Sequence, residues 1–231
     1  MLGFEHHRAI HKFGLNDDAD SGDDIWQGSS AYPFPAAAAT TTIQSSSAAD
    51  TNGGTGAHRV TVQGLDADYE FAEEEVLLNG ATPVALPTQF LRVHRAFVTL
   101  VGSGGVNAGT ISIKHGATDL AIIGIGYGQT LMSIFTLSRN EWGWLKQWRA
   151  STTGTGATAA QLAFQARKFG ESWRTQDLLL LDSSGNSAQV VDFVTFIKYP
   201  PKTDFRIRAV LGSSGIACAS QFSMIIANGR S

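Results

Sequence analysis

The feature that most constrains this chain is a succession of short β-branched and aromatic runs, each closed by a turn signal. They fall at 40–46, 57–65, 69–78, 90–101, 110–115, 120–125, 130–137, 142–149, 161–169, 173–181, 190–199, 203–210 and 217–227. Their spacing is that of sandwiches and barrels rather than of βαβ folds, and no segment sustains a helical period. The expected fold is all-β: an antiparallel β-sandwich or jelly-roll-like body, one large or two small sandwiches, behind an extended N-terminal arm. The expected division is an arm over 1–35, a first sandwich part over 36–126 and a second over 127–231, with the break near Tyr127 and Gly128. Composition agrees, since 25 glycines and only 16% charged residues suit turn-rich β-structure better than helices.

The same totals exclude several classes. A net charge of −3 and a pI near 6.0 do not supply the clustered cations that phosphate contacts require, so no nucleic-acid partner is expected. Cys218 is the only cysteine, which leaves packing rather than disulfides to hold the fold. No apolar run reaches membrane-spanning length, and the start, MLGFEHHRAIHKF, lacks the apolar core of a signal peptide. A soluble protein folding in a reducing cytoplasm is the expectation.

Along the first 35 residues, His7 and His11 would share a face if this stretch were a helix, but that pair lacks a third clustered ligand, and no metal site is assigned to it or to His6. The acidic run Asn16–Asp24 does not place glycine and glutamate where an EF-hand loop needs them, so it reads as a flexible linker, with adventitious calcium binding as the minor alternative. Ile25, Trp26, Tyr32 and Phe34 then bring large apolar groups into a polar region. Leaving them in water is unfavourable. They are candidate anchors, docking either on their own body or on a neighbouring subunit.

Few motifs carry chemistry. Glu73, Glu74 and Glu75 alternate faces on a strand and read as a solvated surface. The glycine-rich tips Gly53–Ala57, Gly102–Gly105, Thr153–Ala157 and Gly212–Gly215 complete neither a dinucleotide fingerprint nor a P-loop, and read as turns. On a strand, Trp142, Trp144 and Trp148 lie on one face, with Lys146 between them. Exposed, such a row is a sugar platform, because rings stack on apolar sugar faces; buried, it is core, the usual fate of large aromatics. Cys218 lies in an apolar strand where an inert thiol is the default. Asp119, Asp182, Asp192 and Asp204 have no spacing that singles them out as paired acids. No catalytic residue, cofactor or enzymatic activity is assigned.

The phrases DIWQGSSAYPFPAAAATTTI, SSAADTNGGTGAHRVTVQGLDADYEFAEEEVLLNGATPV, FLRVHRAFVTLVGSGGVNAGTISI and GQTLMSIFTL together resemble a family of tailed-phage virion structural proteins. The resemblance runs from Asp24 to Asn228 and is densest between Asp24 and Ile113. It implies a non-enzymatic β-sandwich protein assembled in many copies within the virion, built in the host cytoplasm. The leading expectation is a capsid decoration or cement protein, a homo-oligomer with a trimer favoured. It would contact the major capsid protein or other virion proteins, with no nucleic acid and no membrane. A neck, tail or fibre-attachment ring protein is the alternative, and a carbohydrate-binding adhesin module is a third reading.

Overall fold

The computed structural model describes residues 7–154, 159–182, 187–211 and 216–229. The expected turns at Thr153–Ala157 and Gly212–Gly215 therefore lie partly or wholly outside the described residues, as does His6. In chain order the strands are β1 (His7–Asn16), β2 (Thr41–Ser45), β3 (Ala57–Leu65), β4 (Phe71–Leu77), β5 (Val84–Ala85), β6 (Arg92–Val101), β7 (Ile111–His115) and β8 (Thr118–Ile123). There follow β9 (Ile134–Thr136), β10 (Glu141–Thr153), β11 (Ala159–Arg167), β12 (Arg174–Asp182), β13 (Ala188–Tyr199), β14 (Asp204–Leu211) and β15 (Ala217–Asn228). Among the described residues there is no helix, and every strand pairing is antiparallel. The all-β expectation holds at that level. The sandwich or jelly-roll grouping does not: the strands sort into four small sheets, ordered β1-β15-β10-β13, β12-β11-β14-β9, β5-β2-β7-β8 and β4-β3-β6.

Two units result. One joins Met1–Ala31 to Met132–Ser231, and the other is Tyr32–Leu131. The expected 1–35 arm is corrected here. All ten residues of β1 pair with β15, from His7 opposite Ala227 to Asn16 opposite Cys218. Gly14 lets this strand approach closely, since a Cβ there would collide with the Ile25 carbonyl and the Ser133 amide. The acidic stretch after β1 is ordered too. Asn16, fully buried, accepts from Asp18 N at 3.1 Å and from Ser29 Oγ at 3.1 Å, and Ala19 N donates to Ile216 O at 2.8 Å. Among the described residues no cluster of His, Cys, Asp or Glu could hold a metal.

In the first unit the two four-stranded sheets share one apolar core. Leu145, Trp148, Phe222 and Met224 come from one sheet, and Leu162, Phe164, Phe205 and Ile207 from the other. Phe164 is its centre. Its ring lies 5.3 Å from Phe222 edge-on, and about equally far from Trp148 and Phe205, at 6.0 and 6.1 Å. Edge-to-face packing of this kind adds to what area burial alone provides.

The second unit turns on Asp50, a fully buried carboxylate. Its Oδ1 accepts from Ala57 N at 2.7 Å and Ala108 N at 2.8 Å, and its Oδ2 from Gly109 N at 2.8 Å and Ser45 Oγ at 2.6 Å. Three backbone amides and a hydroxyl thus stabilise a buried negative charge and tie the ends of β2, β3 and β7 together. An Asp50→Asn exchange turns an amide group toward donors it cannot accept from. It is expected to destabilise this unit by about 3 kcal/mol, read as a lower denaturation midpoint; an unchanged midpoint would show that the four bonds contribute nothing net.

At the far end of β7, His115 has its pKa lowered, chiefly by burial, against a smaller opposing effect of its bond with the Phe90 backbone. The neutral ring is therefore the folded form. The unfolded chain binds the proton first, so stability is present above its ordinary pKa of 6.5 and declines as pH falls below it. Urea midpoints measured from pH 7 to pH 5 should fall less steeply in a His115→Gln variant than in the parent.

Candidate interaction surface

The anchors proposed from sequence are all spent at home. Ile25, Trp26, Tyr32 and Phe34 are 0, 2, 3 and 8% exposed. Ile25 and Trp26 serve the first unit: Ile25 N donates to Ile207 O and Ala209 N to Asp23 O, both at 2.8 Å, with a bridge between Asp24 and Arg208. Residues 23–25 thereby continue the edge that β9 begins, because β9 covers only the first half of β14, Asp204–Arg206. Trp26 Nε1 donates to Ser30 O at 2.8 Å, and its indole lies so close to Gly28 that any Cβ there would collide with it. Tyr32 and Phe34 serve the second unit, their rings 4.8 Å apart and edge-on. The Arg92 guanidinium lies 5.4 Å from the Phe34 ring, and its Nη1 donates to Pro35 O at 2.5 Å.

Beside the 23–25 segment, buried Asp24 faces Arg206 at 3.5 Å and Arg208 at 3.8 Å. Burial holds the Arg206 guanidinium down to about 10, with Asp24 opposing that shift and Arg208 and Arg167 adding to it. Asp204 is bound by Arg167 at 2.5 Å and by Thr136 Oγ1 at 2.7 Å. Both acids are thus committed to ion pairs that hold β14. Asp119 pairs with Lys114 at 3.4 Å, so Asp119 and Asp204, two of the four aspartates offered by the sequence, are structural.

The tryptophan row is broken by a bulge. Between Leu145 and Gln147, β10 shifts register against both β15 and β13, leaving Lys146 as an extra residue. A single insertion reverses which face every later side chain occupies. Leu145 and Trp148 consequently both point inward, and Trp148 is fully buried with Nε1 donating to Asp177 Oδ2 at 2.8 Å. Trp142 and Trp144 remain outside, half-buried. Lys198, opposite Trp144 on β13, places its ammonium 4.2 Å from the Trp142 ring centre and 5.6 Å from that of Trp144. The three-ring sugar platform is thus corrected to two rings with a cation seated on them.

The outer face of this sheet continues across polar and basic positions. Gln147 Nε2 donates to Asp192 Oδ1 at 2.6 Å, Arg149 Nη2 to Gln221 Oε1 at 2.5 Å, and His11 Nδ1 lies 2.9 Å from Ser223 Oγ. His7 and His11, four residues apart on a strand, are separated by about 13 Å and cannot share a small ligand ion. At one end, Arg8 and Glu141 form a 2.9 Å ion pair across a shallow cleft of about 210 Å³.

Along β13 the face becomes apolar. Val190 is 57% exposed, Val194 101% and Phe196 43%. The register with β10 jumps from Ile197 opposite Leu145 to Asp192 opposite Gln147, so Phe193–Phe196 face Lys146 alone and bow out of the sheet. Near the same end of the unit, where Ser151 meets Ala188 and Gln161 meets Leu211, Leu180, Val210 and Leu211 are exposed as well. Charge is scarce there: 209–220 carries none, and 178–191 carries only Asp182. The signal for this surface was present in VVDFVTFIKY, which is apolar on both faces of a strand at a sheet edge.

No protein family model matches the chain, and no curated protein matches it. Among solved structures it is similar to the PBSX exported protein XepA, at 11% identity over 94% of this chain and 84% of that one, with a TM-score of 0.22. It is also similar to the VP2 subviral particle protein of infectious bursal disease virus, at 10% identity over 96% and 72%, with a TM-score of 0.19. Likeness at this level carries no conclusion.

The geometry does yield one: Trp148 is core and its neighbours are surface. Trp148→Ala is expected to cost about 3–5 kcal/mol, whereas Trp142→Ala and Trp144→Ala should each cost less than about 1 kcal/mol, compared by thermal melting. Equal losses at all three positions would contradict the bulge.

Proposed function

We propose that this chain is a non-enzymatic structural subunit of a virion, and that within the particle it acts as a decoration or cement protein on the head shell. The observation that carries this reading is the outer face of β13 and its surroundings, an exposed apolar surface with few charges. Soluble monomers seldom leave such surfaces open, and loss of charge is what distinguishes the centre of an interface. The sequence phrases that resemble tailed-phage structural proteins support the same reading. A purpose for the surface follows: it is where the subunit meets its neighbours in an assembly.

The contact with the shell does not run through residues 1–35. Their anchors are buried within their own units, and removing β1 would strip one side of β15 rather than release a tether. The candidate surface for contacts within the assembly, whether with a second copy or with the shell, is instead the β13 face with Leu180, Val210 and Leu211.

Quantitative mass spectrometry of purified particles is the test. Copies approaching the number of major capsid subunits are expected. A few copies per particle would move the subunit to a neck or tail ring, and complete absence from particles would overturn the virion reading.

A further inference from the structure

We propose that the partner of β13 is a second copy of this chain, paired antiparallel about a two-fold axis that passes through Thr195. Strand β13 is the outermost strand of its sheet and pairs with β10 on one side only. Exposed edges are templates for further strands, and proteins guard them with charges, prolines or bulges. The edge strand β4 is guarded in this way: it carries Glu73, Glu74 and Glu75, and Arg59 meets Glu75 at 2.9 Å. The edge of β13 carries a bulge, but neither a charge nor a proline guards the bowed stretch itself. Between Asp192 and Lys198 every residue is uncharged, and the bowed stretch presents Val194, the most exposed of the large apolar side chains described.

The two charges that flank this stretch select the partner and the register. Antiparallel pairing of β13 with its own copy about Thr195 sets Asp192 opposite Lys198 of the second copy, and Lys198 opposite its Asp192. The same register sets Val194 opposite Phe196 in both directions. Asp192 and Lys198 lie on the same face of the strand, since they pair with Gln147 and Trp144 on the outer side of β10. Moving the axis to Val194 would put Asp192 against Phe196 and Lys198 against Val190; moving it to Phe196 would put Lys198 against Val194. Only the Thr195 axis matches opposite charges and apolar side chains together, as cross-strand pairing favours. The contact is isologous, so each charge pair occurs twice and the assembly closes as a dimer. Both flanking groups are held before the partner arrives, Asp192 by Gln147 and Lys198 by Trp142 and Trp144, which limits the ordering cost of association. The bulge favours the same contact, because the bowed residues of the two copies meet first.

The test is cysteine cross-linking of the full chain in solution. On the axis, Thr195→Cys faces its own copy at a separation within disulfide reach, and Cys218 is buried, so the parent chain is a clean control. With oxidant at tens of micromolar protein, Thr195→Cys should become predominantly a covalent dimer. Val190→Cys should not, because the two positions would lie about 33 Å apart. Without cross-linking, sedimentation should find the parent dimeric. Asp192→Lys should weaken the dimer at least about tenfold by opposing two lysines, and Asp192→Lys with Lys198→Asp should restore it. A monomeric parent together with an uncross-linked Thr195→Cys chain would overturn the proposal. So would equal cross-linking at Val190→Cys, which marks non-specific collision. These readings need no particle, so they stand or fall separately from the virion assignment.

Discussion

Strand β15 is paired on both sides along almost its whole length, with β1 on one side and β10 on the other. That arrangement governs the first unit. It joins the beginning of the chain to its end, across more than two hundred residues, and places Phe222, Met224 and Ile226 in the shared core. Such distant pairing must meet the entropy of closing a long loop before it gains anything. The second unit, Tyr32–Leu131, is continuous in sequence and closes shorter loops. Contact order therefore favours its forming first, after which the loop left to close between β1 and β15 is effectively shorter.

What the sequence disclosed was what depends on local pattern. The strand stretches from 40 onward were legible because β-branched runs and glycine turns act over a few residues. β1 was not, although it is ten residues long. Its inward side carries Ile10, Gly14 and Asn16, and its outward side Ala9, Phe13 and Leu15, so hydrophobicity does not alternate. Only the β15 partner makes it a strand. The aromatic anchors were legible in one respect: Trp26 and Tyr32 had to be covered. Which surface covers them was set by the open half of the β14 edge and by the Arg92 side chain, neither of which a short window can see.

The tryptophan row failed for a related reason. Assigning Trp142, Trp144 and Trp148 to one face assumes an unbroken two-residue period, and Lys146 breaks it. The bulge is a property of β10 between two neighbours, β13 and β15, whose registers shift at the same place. Its consequence is large, since it decides whether the Trp148 indole joins Phe164 in the core or stands in water. Asp50 was missed likewise. In sequence it looks like the start of a glycine-rich tip, and its role exists only once Ala57, Ala108 and Gly109 point their amides at it.

Edges link these observations to assembly. Each small sheet leaves two outer strands, and dividing the fold into four sheets multiplies the backbone groups that need a partner or a guard. The chain answers in different ways. Residues 23–25 complete the cover over β14, and glutamates guard β4. On β13 it does neither, leaving valine and phenylalanine on a strand that bows outward. A fold of few large sheets would have had fewer edges to manage. In this one, the chain has used its N-terminal segment to close β14, so that segment is no longer available to reach a neighbour, and the uncharged edge of β13 becomes a natural place for an assembly contact.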